Sequence, residues 1–281
     1  MRSNSPTCYA NNYVSTRTTI KSLLGLTPFG PYIFYRLRAK SVELQWTPAD
    51  ENAGVFYSQF LQPGDLCFDV GANIGNRTKM FRHIGARVVA VEPQRHCVRI
   101  LRERYATDPN VTIVKSALSD KTGTATLNIA TADTVSSLSS EWIDRVSSTN
   151  RFGDVKWCKS ETCDVTTLDA LISTHGVPAF IKIDVEGYEY EVLKGLTVPV
   201  PCVSIEHTPE YFDASVRCIK RLTDLGFQLF NYSSGESMRL TTVTWRTADQ
   251  LIAALDTCRR SASEFGDIYA MPRPLAGLGA D

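Results

Sequence analysis

The sequence predicts an α/β fold, a doubly wound and mostly parallel sheet carrying an N-terminal extension and an inserted hairpin and loop. Three observations point there. Between residues 65 and 114, short apolar runs alternate with helical patterns, and the connections are short. The first run ends in a loop of small residues, Gly71-Ala72-Asn73-Ile74-Gly75. Near-continuous apolar runs return at 179–183 and 202–205, as central parallel strands require. Strand, helix, strand, helix, strand with short links implies parallel pairing through right-handed crossovers.

Composition bounds the reading without naming it. The 281 residues are 43% hydrophobic and 21% charged, enough for one sizeable core. Thirty basic residues balance thirty acidic ones, so net field predicts neither a nucleic-acid partner nor an anionic membrane. Residues 20–26 are apolar but interrupted by Lys21, Ser22 and Gly25, and no run approaches a membrane span. Cys67 and Cys202 sit in strand-like runs, where a thiol is a small buried hydrophobe. Cys158 and Cys163 are close, but no second pair completes a metal-site spacing. The expectation is a reduced, cytoplasmic protein with no resident metal. The sequons at Asn76, Asn110 and Asn231 then read as chance matches.

Three regions are expected: an extension over 1–60, a body over 61–246, and a helix and tail over 247–281. In the extension, 19–26 and 32–44 have helical character around the breaker Thr27-Pro28-Phe29-Gly30-Pro31, and Trp46 with Phe56-Tyr57 suggests packing on the body. The body opens with a strand at 66–70, a helix at 76–84 closed by Gly85, and a strand at 87–91 ending in Glu92-Pro93. A helix at 95–105 follows, then the turn Asp108-Pro109-Asn110 and a strand at 111–114. The rhythm breaks at Asp120-Lys121-Thr122-Gly123; residues 124–129 alternate like an edge strand of a hairpin. Residues 131–149 hold nine Ser or Thr in nineteen, which reads either as an irregular surface excursion or as a lid or substrate loop. Thr166-x-x-Asp169 resembles a capping box opening a helix to His175-Gly176. Helices at 188–193 and 215–225 alternate with strands at 202–205 and 227–230; 238–245 reads as the last strand and 247–258 as a terminal amphipathic helix.

Four groups carry chemistry. In the loop, Gly71, Asn73 and Gly75 alternate, and Asn tolerates positive φ while adding an amide for a ligand. Asn73 and Asn76 replace the later glycines of the dinucleotide fingerprint, so that fingerprint is not met. Glu92 ends the second strand 21 residues after Gly71, where a carboxylate can accept from both ribose hydroxyls; the plainer alternative is a surface Glu before Pro93. Lys182 and Asp184 share one face of a central strand and lead to Glu186; they read as crevice residues or as a structural ion pair. Glu206 and His207 end the next strand as a candidate acid–base pair. Tyr190-x-x-x-Lys194 also matches a dehydrogenase dyad, but its glycine loop is missing and helix packing explains it.

Taken in order, DVGANIG, the Val91-Glu92-Pro93 ending, ALSDKTGTATL from Ala117, Ser136-Ser137-Leu138, VTTLDAL from Val165 and IKIDVEGYEYEVLKG from Ile181 resemble the FkbM-type methyltransferases, within the class I S-adenosylmethionine-dependent superfamily. The resemblance spans residues 60 to 235. It implies a seven-stranded Rossmann-like sheet with the last strand antiparallel, S-adenosylmethionine as cofactor, and methyl transfer to a hydroxyl on a sugar or glycan, polyketide or related small molecule. Asp69, Gly71, Ala72, Asn73 and Gly75 would then hold the methionine part, Glu92 the ribose, and Ser116 and Ala117 would lie near adenine. Asp184 and Glu186 would border the methyl group and the acceptor. Asp184, Glu186 and His207 are the candidate bases, with Lys182 orienting a carboxylate or stabilising an alkoxide. Asp184, Glu186 and Glu206 would be the place for Mg²⁺ or Ca²⁺ were one used. Homo-oligomerisation is compatible with this reading. A nicotinamide-dependent oxidoreductase or epimerase, or a non-catalytic binding module, are the competing readings.

Overall fold

The computed structural model describes residues 46–260 and 265–273. The helices expected at 19–26 and 32–44 lie outside them. The described residues from Thr47 onward belong to one compact unit. Its first element, α1 (Pro48–Tyr57), starts at a capping box in which Thr47 and Asp50 satisfy each other's backbone N–H, with Pro48 in the first turn.

The parallel core follows in the predicted order: β1 (Leu66–Val70), α2 (Asn76–Ile84), β2 (Arg87–Val91), α3 (Arg95–Arg104) and β3 (Val111–Val114). Gly85 closes α2 in a left-handed conformation, donating to Phe81 and Arg82 carbonyls. Next come β4 (Ala117–Leu118), β5 (Gly123–Ala130), α4 (Ser140–Ser148), β6 (Trp157–Thr166), α5 (Leu168–His175), β7 (Phe180–Ile183), α6 (Glu189–Lys194), β8 (Val203–His207), α7 (Phe212–Asp224), β9 (Leu229–Ser234), α8 (Ala248–Arg260) and β10 (Gly266–Met271). Seven strands form one sheet in the order β3-β2-β1-β7-β8-β10-β9, with β10 antiparallel to both neighbours. A second sheet, β4-β6-β5, projects from it.

The sheet has two different faces. Leu66, Phe68, Val70, Ile181, Ile183, Val203, Ile205 and Ile268 point to one, where α5, α6, α7 and α8 cover them. Cys67, Phe180, Cys202, Tyr269 and Met271 point to the other, covered by α1, α2 and α3. There Phe60 stacks on Phe180 and Tyr269 at 5.6 and 5.1 Å, and Phe56 meets Tyr269 edge-on. Phe56 and Tyr57 thus bring the end of the extension into the core, as expected.

Three local expectations are corrected. The last sheet strand is β10, not 238–245, which forms no strand; Arg246 just beyond it makes an isolated bridge to Phe230. The residues read as a tail therefore contain a strand inserted between β8 and β9. Residues 131–149 are neither irregular nor free: they hold a short 3₁₀ turn (Asp133–Val135) and α4, whose Trp142 is fully buried. The cap of α5 is Thr167, accepting from Ala170, while Asp169 accepts from Thr197. The edge strand expected at 124–129 does form: it is β5, which pairs antiparallel with β6 across that insert.

Candidate active site

The loop after β1 takes the predicted backbone. Gly71, Asn73 and Gly75 have φ of +83°, +49° and +87°. Asn73 stabilises its own turn, its Oδ1 accepting from the Ile74 N–H at 2.8 Å. Gly71 and Ala72 N–H groups both donate to the Val91 carbonyl at 3.0 Å, which fixes the loop to the end of β2. Only glycine fits at Gly71, because a Cβ would lie 1.8 Å from the Asp184 carbonyl oxygen. The loop therefore rests directly on the turn after β7. Gly75 begins α2 without a side-chain cap, leaving first-turn N–H groups and the positive helix end for a ligand.

Glu92 is 2% exposed, which removes the surface reading. Its Oε2 accepts from the Asn73 N–H at 2.9 Å and its Oε1 from the Gln94 N–H at 2.8 Å. A carboxylate has about four lone-pair sites, so two remain for a diol. Burial outweighs these hydrogen bonds and pushes the carboxyl up to about 7. Glu92 N–H and Ser116 N–H both donate to the Val114 carbonyl, so Ser116 and Ala117 gather beside Glu92 at the end of β3. Ser116 and Ala117 are each 6% exposed. Asp69, 1% exposed, accepts from the Thr78 hydroxyl at 2.5 Å; burial still raises it to about 6.

Asp69 pairs in register with Lys182, and Lys182 with Ser204. The fully buried Lys182 ammonium donates to Asp184 at 3.1 Å and to Asp267 at 2.8 Å. Burial opposes its charged form, but Asp184 and Asp267 outweigh burial and hold it well above the ordinary lysine range. The structural-pair reading of Lys182 is realised, in a form that also orients Asp184. Asp184 keeps 34% of its side chain exposed.

Beyond Asp184 the chain turns through Glu186 (φ +57°) and Gly187 (φ +85°). Glu189 caps this turn from inside, accepting from the N–H groups of Val185 and Gly187. The insert clamps it from outside: Ser137 donates to the Glu186 carbonyl at 2.6 Å, and Trp142 lies where a Cβ on Gly187 would be. Trp142 is anchored in turn to Thr208 through its indole N–H. Carboxylate oxygens of Asp184, Glu186 and Glu206 gather within 4.8 Å of one another, a geometry that could also hold a hard divalent cation. Burial first, then mutual repulsion, pushes Glu186 and Glu206 well above the carboxylate range. Glu206 Oε2 is buried with no hydrogen-bond partner among the described residues.

The structure does not form the Glu206–His207 pair. Consecutive strand residues point to opposite faces, and Glu206 takes the charged one. His207 is 1% exposed on the other, with Nδ1 2.8 Å from the Ser215 hydroxyl and Tyr232 edge-on to its ring. Burial lowers it to about 4, so it is a neutral packing group. Tyr190 and Lys194 make a cation–π contact at 5.7 Å on α6 rather than a catalytic dyad. Sequence reading overlooked Asp267, Glu189 and the clamps Ser137 and Trp142. Glu189 alone had a local signal, as a carboxylate just after a Gly turn.

The family model for the methyltransferase FkbM domain matches residues 69–229. Solved structures resemble the chain at low identity. They include a precorrin-6y C5,15-methyltransferase from Geobacter metallireducens (11% identity, 79% of this chain and 87% of that one, TM-score 0.41). Others are a Streptococcus mutans methyltransferase homologue in complex with SAH (12%, 81% and 99%, TM-score 0.39) and Aeropyrum pernix fibrillarin with bound S-adenosyl-L-methionine (13%, 78% and 76%, TM-score 0.40). No curated protein matches the sequence.

Proposed function

The chain belongs to the FkbM methyltransferase family, and from that premise we propose that it O-methylates a hydroxyl of a sugar, glycan, polyketide or similar small acceptor, using S-adenosylmethionine. The observation that carries the cofactor reading is Glu92: a buried carboxylate, fixed by two backbone N–H groups beside the glycine loop, with acceptor capacity left for a ribose diol. The cofactor, when bound, supplies an electrophilic methyl group on a sulfonium. The residues present fit it. Asp69 and the 71–75 loop border the methionine end, Glu92 the ribose, and Ser116 and Ala117 the base.

The chain's own part in transfer is alignment and proton removal. An aliphatic hydroxyl gains nucleophilicity as its proton leaves. Asp184 is the base we assign, because it is the member of the acidic trio whose partly exposed carboxylate is oriented by a buried cation, Lys182. Lys182, itself held by Asp267, donates to that carboxylate and keeps it in place. Glu186 and Glu206, raised first by burial and then by neighbouring carboxylates that include Asp184 for both, favour protonated forms that can donate to an acceptor oxygen.

The decisive experiment incubates the protein with methyl-labelled S-adenosylmethionine and cell extract, then identifies the labelled product. Label on oxygen of a small or glycan acceptor supports the proposal. Label on nitrogen, carbon or nucleic acid overturns the O-methylation reading.

A further inference from the structure

We infer that His96, Cys97 and Asp133 form a binding site for a borderline divalent metal ion, with Zn²⁺ the best match. His96 and Cys97 lie in the first turn of α3, four and five residues after Glu92. Asp133 comes from the 3₁₀ turn of the insert, 36 residues further on. Their ligand atoms face one another: Cys97 Sγ is 3.3 Å from His96 Nε2 and 3.8 Å from Asp133 Oδ2, and His96 Nε2 is 3.8 Å from Asp133 Oδ2.

These distances have the form of a coordination polyhedron. Bonds of about 2.3 Å to sulfur and about 2.0–2.1 Å to nitrogen and oxygen, at tetrahedral angles, separate sulfur from its neighbours by about 3.5 Å and nitrogen from oxygen by about 3.3 Å. All three observed edges lie within about half an ångström of those values. The two sulfur contacts also fit weak thiol hydrogen bonds, but the third edge is long for a direct contact. An imidazole–carboxylate hydrogen bond spans about 2.7–3.2 Å, well short of the His96–Asp133 separation. The three side chains thus surround a common centre.

Chemistry and burial agree with geometry. One sulfur, one nitrogen and one oxygen suit zinc; magnesium and calcium favour oxygen alone. Cys97 is 0% exposed and the Asp133 side chain 1%, while 27% of the His96 side chain reaches solvent. A thiolate and a carboxylate buried together carry two negative charges that a divalent ion neutralises. The solvent edge at His96 leaves room for water as a fourth ligand. On binding, the Cys97 thiol loses its proton to solvent and no redox change occurs.

The position gives the ion a structural task. Gln94, next to the ribose carboxylate, already donates to the Asp133 carbonyl at 3.0 Å. Metal at this site would fasten the insert to α3 at the ribose end of the crevice.

The test uses the full chain, purified after chelation and dialysis. We expect one equivalent of Zn²⁺ bound in competition with a chromophoric chelator, and a higher unfolding temperature with zinc. Cys97→Ser and Asp133→Asn should each weaken binding at least tenfold, about the lower bound for losing one ligating group. Co²⁺ on the unaltered chain should give a thiolate-to-metal charge-transfer band that Cys97→Ser abolishes. The inference fails if the unaltered chain takes up no tight equivalent. It fails equally if Cys97→Ser keeps the affinity and the cobalt band, since the ion then sits on another cysteine.

Discussion

Along β1, β7 and β8, one face of the sheet presents Phe68, Ile181, Ile183, Val203 and Ile205, and the opposite face presents Asp69, Lys182, Ser204 and Glu206. The same strands, a residue apart, build an apolar core and an ionised floor. The apolar face is stabilised by area removed from water, and its members are interchangeable in kind. The ionised face is held by specific pairing, Lys182 between two carboxylates, and it tolerates a buried orphan in Glu206. The charged face is not without a core of its own: toward the amino ends of these strands it presents Cys67, Phe180 and Cys202 to an aromatic cluster, and it turns to charge only toward their carboxyl ends.

The largest test of that division is chemical. Asp184→Asn should lower single-turnover methyl transfer by about 10²–10⁴-fold, the usual worth of a general base, while calorimetry shows cofactor affinity little changed. Normal turnover would place the base elsewhere. Next come the two faces compared directly by denaturant unfolding. Phe68→Ala should cost about 3–5 kcal/mol at every pH, through cavity and lost transfer energy. Lys182→Met should also cost about 3–5 kcal/mol near neutrality, because Asp267 is left uncompensated. Its penalty should shrink below the ordinary carboxylate range, where Asp267 takes a proton in both states.

A smaller contrast is the sign of the pH dependence. His207, lowered to about 4 on the apolar face, contributes stability that is complete above about 6.5 and is lost as pH falls toward 4. Asp69, raised to about 6, contributes stability that is complete below about 3.9 and is lost as pH rises toward 6. His207→Gln and Asp69→Asn should flatten opposite arms of the stability curve, each by up to about 3 kcal/mol. Identical slopes in both variants would dissolve the distinction. The smallest effect concerns Glu92, raised to about 7. If Glu92 accepts from ribose hydroxyls as proposed, its ionised form binds, so cofactor affinity should weaken about tenfold per pH unit below 7 and become pH-independent there in Glu92→Gln.

The parallel half of the sheet was legible because it is local: β1, β2 and β3 and their helices fall where short-range periodicity puts them. The loop conformation was legible because few residues besides Gly and Asn accept its φ values. What escaped was non-local. β10 follows α8 yet inserts between β8 and β9, so nothing near 266–271 announces its neighbours, while 238–245 has strand-like residues without a partner strand. Asp267 is remote from Lys182 in sequence, and only the register of β10 against β8 brings it close. Glu206 and His207 were paired by adjacency, which strand alternation forbids.

The insert over 131–149 has a kinetic consequence. It touches the crevice at both ends, with Ser136 and Asp133 on Gln94 and with Ser137 and Trp142 on the turn at Glu186 and Gly187. Lifting it would extract Trp142, a step worth about 3–5 kcal/mol by the measure of large-to-small core changes. Such a barrier would slow opening by about 10²–10³-fold or more. The segment therefore opens far more rarely than a solvent-exposed loop and serves as a standing wall of the crevice.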